Sequence, residues 1–92
     1  MTDGSPIPLG SAMRVADVTE LKAACDLMTG DLNLDASEIE TVDAAVLQYL
    51  VALRRHCEAE TRNFAVLNPS AAFIKAAALV GFQAELGLSA PA

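Results

Sequence analysis

A change of period inside one short stretch constrains this chain more than any other feature. Leu32-Asn33-Leu34 alternates apolar and polar as a half-buried strand does, whereas from Ala44 to Leu53 the apolar side chains recur at three and four residues, as on a helix. The chain therefore passes from strand to helix through Asp35-Ala-Ser-Glu-Ile-Glu-Thr-Val-Asp43. Asp43 stands where an N-cap belongs, with a carboxylate able to accept from an orphan N–H of the first helical turn. Binding in open α/β sheets gathers at such strand ends. This turn is the first candidate surface.

The same two periods continue on either side. Pro6-Ile-Pro-Leu-Gly10 carries two prolines, which remove ladder donors, so it is expected to pair only as an edge strand. Asp17-Val-Thr-Glu20 reads as a cap with Glu at the third position; Val18, Leu21, Cys25 and Met28 then share one face, and Gly30 is placed to end that helix. Asp31 to Asp35 is the strand, with Leu32 and Leu34 on one side. The next helix, from Ala44 to Glu60, puts Val46, Leu50, Leu53 and Cys57 in one row with Leu47 and Val51 beside it. Asn63-Phe-Ala-Val-Leu67 reads as a buried strand, and Asn68-Pro69 as a cap with a first-turn proline. A third helix runs to Val80 on Phe73, Ile74, Ala77 and Ala78 and stops at Gly81, with a final helical turn between Phe82 and Leu88.

Strand and helix thus alternate, the pattern of parallel strands joined by crossover helices. So few strands cannot be covered on both faces, so the helices are expected mainly on one side. A single domain over residues 6–88 follows, with loose ends at 1–5 and 89–92. A hydrophobic fraction of 53% against 20% charged residues supports a packed core, and one Tyr, three Phe and no Trp make it aliphatic.

The net charge of -6 disfavours nucleic acid and anionic membranes, since either needs a basic patch. Arg54, Arg55 and Arg62 form a local basic group that reads as a solvated cluster near a helix C-terminus. Cys25 and Cys57 fall among apolar helical residues and read as buried thiols. With no leader pattern and no apolar run of about 18 residues, a cytoplasmic protein without membrane insertion is expected.

Three constellations invite chemistry and each lacks a part. Asp31, Asn33 and Asp35 have the alternate spacing of a calcium loop, but Ala36 replaces its turn glycine and Val42 its bidentate Glu. His56 adjoins Cys57, yet neighbouring helical positions point about 100° apart. Asp35, Glu38, Glu40 and Asp43 could be paired carboxylates, but neither a second histidine nor a Gly-rich phosphate loop accompanies them. No enzyme activity and no cofactor are expected. A carboxylate-rich rim beside a helix tip can still select a basic surface on a protein partner.

Leu34-Asp35-Ala36-Ser37, then Ile39, then Val42-Asp43 resembles the signature of STAS domains, the family of the anti-sigma factor antagonists, in which a strand ending Leu-Asp-Leu-Ser leads to an Asp-Ser-Ser-Gly or Asp-Thr-Ala-Gly helix tip. Asn68-Pro69-Ser70 opening a helix that closes at Gly81-Phe82 is similar to the family's later loop, so the likeness covers residues 6 to 88. It implies a mixed, mostly parallel sheet of about four strands with helices on one face. In phosphorylated members the residue after the Asp accepts phosphate. Here Ala44 occupies that place, followed by Ala45 and by Val46 where the family has Gly. Ser37 and Thr41 are the nearest hydroxyls, and neither aligns with the acceptor.

The resemblance implies a non-catalytic regulatory module of bacterial signalling, including chemotaxis-type systems. Its docking surface would be Ser37, Glu38, Glu40, Thr41, Asp43, Ala44, Ala45, Val46 and Leu47. The partner implied is an anti-sigma factor or a histidine-kinase-like ATPase. The alternative is an accessory subunit of a lipid-transporting ATP-binding cassette complex, bound to its ATPase.

Overall fold

The computed structural model describes residues 7–27 and 30–88. Their order is β1 (Ile7–Pro8), β2 (Ala12–Met13), a 3-10 turn (Val15–Asp17), α1 (Val18–Asp26), β3 (Leu32–Asp35), β4 (Thr41–Val42), α2 (Ala44–Ala59), β5 (Phe64–Leu67) and α3 (Ala71–Leu79). Met28, together with the termini expected to fray, lies outside the described residues.

Strand β3 is flanked on both sides, by β1 and β5, and both pairings are parallel. Leu32 lies opposite Phe64, and Leu34 lies between Ile7 and Val66, so these five side chains share one face of the sheet. That face is covered: Leu32 and Leu34 are 1% and 0% exposed, and Ile7, Phe64 and Val66 pack against the same core as the helices. The opposite face, with Pro8, Asn33, Asp35, Ala65 and Leu67, contributes nothing to that core. Helices on one side of a parallel sheet is the expected α/β arrangement. β1 is the expected edge strand, the position where Pro8 is tolerated.

A second, two-stranded sheet pairs β2 with β4, again in parallel, and gives five strands in two sheets. β5 is half-buried along its whole length instead of fully buried, because nothing pairs with its outer side in the sheet order.

The helix rows fall as the spacing predicts. α1 buries Leu21 and Cys25; α2 buries Val46, Leu47, Leu50, Val51 and Cys57; α3 buries Phe73 and Ala77. The ends need correction. Asp17 stands at the N-cap position of α1, but it has helical dihedrals and its carboxylate accepts from the Arg14 N–H at 2.8 Å, closing the 3-10 turn, so its side chain does not cap α1. α1 also stops at Asp26, before Gly30. The cap of α3 is Ser70, whose hydroxyl accepts from the Phe73 N–H at 3.1 Å, and not Asn68. Gly81 does end α3: at φ 77° it lets its own N–H reach Ala78 C=O and the Phe82 N–H reach Ala77 C=O. Leu86 N–H to Phe82 C=O then forms the expected last turn.

Both cysteines are free and buried. Burial pushes their thiols up in pKa, and burial also pushes Tyr49, hydrogen-bonded to Cys25, up to about 12. The thiols stay protonated near neutral pH and act as small apolar groups.

Candidate partner-docking site

The stretch between β3 and α2 is short of regular structure but not of bonds. At its start, Asp35 accepts from the Ser37 N–H at 2.9 Å, an Asx-type turn that aims Ser37 and Glu38 outward. Two small or apolar residues then anchor the loop from inside, Ala36 at 0% and Ile39 at 2% exposed. Backbone bonds fix it from two directions. Ala36 N–H donates to Leu67 C=O at 3.0 Å, and Ser70 N–H donates to Ala36 C=O at 3.1 Å. On the other side Glu40 and Thr41 N–H both donate to Ser11 C=O, at 2.7 and 3.0 Å. Finally, the Ser70 hydroxyl donates to Ile39 C=O at 2.7 Å.

Asp43 has the extended dihedrals of an N-cap, φ -76° and ψ 148°, and its C=O accepts from Val46 and Leu47 N–H. Its carboxylate does something other than predicted. Instead of capping α2 it accepts from the Val15 N–H at 3.1 Å, while the Asp43 N–H donates to Met13 C=O at 2.9 Å. Asp43 therefore staples the start of the longest helix to the 3-10 turn.

Of the residues named from sequence, Ser37, Glu38, Glu40, Thr41, Asp43 and Ala44 are exposed and Ala45 is half-buried. These lie together on one turn and one helix tip. Val46 and Leu47 do not belong with them. At 0% and 1% exposed they point into the core, because three residues into a helix the face has turned inward, so they support the tip and offer a partner nothing. Ser70 is the residue that sequence reasoning missed; its Ser-x-x-Phe position after a proline was the available signal.

Among the described residues no ion pair involves this tip, whereas ion pairs are frequent elsewhere. Lys22–Asp26, Arg54–Glu58, Arg55–Glu85, His56–Glu60 and Arg62–Glu60 are all exposed or half-exposed pairs on other elements, and none takes a carboxylate from residues 35–43. Arg54 and Arg55 thus sit in solvent-facing pairs of small energetic weight, whereas Arg62, its side chain 20% exposed, also donates through Nε to Gly30 C=O at 2.9 Å. His56 points to Glu60 and Cys57 is 0% exposed, so the adjacent pair diverges. Among the described residues no three His, Cys, Asp or Glu side chains come together to hold a metal ion, and no helix is long and apolar enough to cross a membrane.

The Ser37 hydroxyl and N–H hold the Asp35 carboxyl below its ordinary pKa. A depressed carboxylate contributes stability that is complete above the unfolded value of about 4 and is lost as pH falls through the folded one. Asp35→Asn is therefore expected to leave the unfolding midpoint nearly unchanged at the acid end. The gap to the original protein should open as pH rises from the depressed folded pKa toward about 4 and stay constant above it. Urea unfolding of both proteins between pH 2 and 7 checks this, and parallel curves would remove the Asp35–Ser37 contribution.

A family model described as Mlab, STAS domain matches residues 3–88. Searches of curated proteins and of solved structures gave no significant match. STAS domains are generally non-catalytic regulatory modules that bind protein partners, in antagonist-like or transport-associated roles. Matched over nearly its whole length, and carrying strand, acid-bounded turn and helix in the order that signature requires, the chain belongs to the STAS domain family.

Proposed function

We propose that this protein is a non-catalytic regulatory docking module that binds a partner protein through the turn 36–43 and the exposed start of α2. The observation that carries this reading is a turn clamped by backbone bonds on both sides that still presents Ser37, Glu38, Glu40, Thr41, Asp43 and Ala44 to solvent. Such a surface is preorganised, so little ordering cost is left for binding. Glu38 and Glu40 steer a basic partner surface, and Ala44 and Ala45 allow its backbone to approach closely. The partner, by family resemblance, is an anti-sigma factor or a histidine-kinase-like ATPase of a bacterial signalling system. Because Ala44 has no hydroxyl, association is constitutive or is controlled through the partner.

That same alanine favours a second reading. A permanent subunit needs no switch at its contact, which suits an accessory STAS subunit of a lipid-transporting cassette ATPase complex. Co-purification of the tagged protein from the cells that make it, with identification of its companion, separates the two. An anti-sigma factor or histidine-kinase-like ATPase is the expected result. A stable complex with a cassette ATPase would replace the first reading by the second. Turnover in a hydrolase or phosphatase screen, abolished by Asp43→Ala, would overturn both.

A further inference from the structure

We propose that Ser70, about thirty residues downstream of the docking turn, is its positioning residue. The inference rests on the docking reading and adds what holds that surface in shape. The Ser70 N–H donates to Ala36 C=O at 3.1 Å, and its hydroxyl donates to Ile39 C=O at 2.7 Å while accepting from Phe73 N–H at 3.1 Å. One residue thus satisfies two carbonyls of the turn and opens α3 at the same time. Among the described residues, the turn is also tied backbone to backbone through Ser11, Leu67 and the pairing of β4 with β2, and at its entry by the Ser37 N–H on the Asp35 carboxylate. Beside the local Asp35 carboxylate, the Ser70 hydroxyl is the side-chain group that reaches the turn from a distant part of the chain.

The Ile39 side chain is 2% exposed, so its peptide is held close to the interior. A carbonyl there needs a donor, and an unpaired one would turn toward water and carry the next peptide with it. That next residue is Glu40, on the presented surface. Ser70 therefore sets where Glu40 and Thr41 stand, although it is 31 residues from Ile39 in sequence.

Two substitutions separate positioning from capping. Ser70→Thr keeps both the donor and the acceptor. Ser70→Asp keeps an acceptor for the Phe73 N–H, as good N-cap residues do, but has no proton to give Ile39 C=O and sets carboxylate oxygens against it. In the isolated protein, amide hydrogen exchange at Glu40 and Thr41 is expected to run about tenfold faster in Ser70→Asp, the weight of one lost hydrogen bond. Leu50 and Val51 in α2 should exchange as before, and Ser70→Thr should match the original protein throughout. Unchanged Glu40 and Thr41 rates in Ser70→Asp, or an equal acceleration at Leu50 and Val51, would overturn the proposal. The affinity of Ser70→Asp for the companion recovered by co-purification should fall in the same proportion. If the turn loosens and affinity does not change, the docking reading fails while the hold of Ser70 on the turn stands.

Discussion

Phe73→Ala is expected to destabilise the protein by about 3–5 kcal/mol, the range for truncating a buried aromatic side chain. Phe73 heads the fully buried side chains of this protein by volume and is 0% exposed. The other fully buried side chains are aliphatic or a thiol, and Tyr49, Phe64 and Phe82 are only partly buried against this core. A chain of 92 residues has a total stability on the order of 5–14 kcal/mol, which makes this one side chain a large share of the whole. Ser70 opens the same helix one turn earlier, so the loss also loosens the tie to Ile39. Urea unfolding should show a lower midpoint at an unchanged slope, and Phe73→Leu, which leaves a smaller void, should lose less than half as much. A loss below about 1 kcal/mol for Phe73→Ala would mean that α3 is not seated in the core as described.

What could be read in advance was local, and much of what escaped was long-range. Leu32 and Leu34, or Val46, Leu50 and Cys57, announce a buried face because burial repeats with the period of the backbone that carries them. Edge placement of Ile7–Pro8 was likewise legible, since proline's missing N–H is a local fact. Capping departs from expectation for more than one reason: Asp17 accepts from the Arg14 N–H three residues back, Asn68 at φ 50° leaves the cap to Ser70, and Asp43 finds a distant donor. An Asp at a helix start offers an acceptor, but the donor that takes it depends on what the fold brings near. For Asp43 that donor is Val15, 28 residues away. The hydroxyl of Ser70 reaches Ile39 across a similar separation, and no sequence period reports it. β2 and β4 are two residues each, too short to have a period at all. The candidate site was drawn as one continuous window, which served the turn, where Ser37 to Asp43 mostly face solvent. It failed at Val46 and Leu47, where the backbone had already become a helix and faces alternate with rotation.

Ala44→Arg is expected to weaken binding of the partner recovered from cells by about 100-fold or more, the scale of a disrupted interface centre. The argument is one of shape first. A partner that approaches closely over Ala44 and Ala45 packs there at interior density, and a long side chain placed at the first residue of α2 forces it away. Charge acts in the same direction, because a surface chosen by Glu38 and Glu40 is basic and repels a guanidinium. The fold itself should tolerate the change. Ala44 is exposed, and the unfavourable position of a cation at a helix N-terminus costs about 0.3–1 kcal/mol. Ala52→Arg is the matched control, an exposed alanine further along the same helix, where affinity should stay within about twofold. Glu38→Gln with Glu40→Gln should mainly slow association and flatten its salt dependence, leaving dissociation nearly as it was. Affinity measured by calorimetry, with unfolding midpoints in parallel, decides the matter. If Ala44→Arg binds as tightly as the original protein while Ala52→Arg does not, the partner sits along the side of α2, and the turn between β3 and α2 is a structural hinge only.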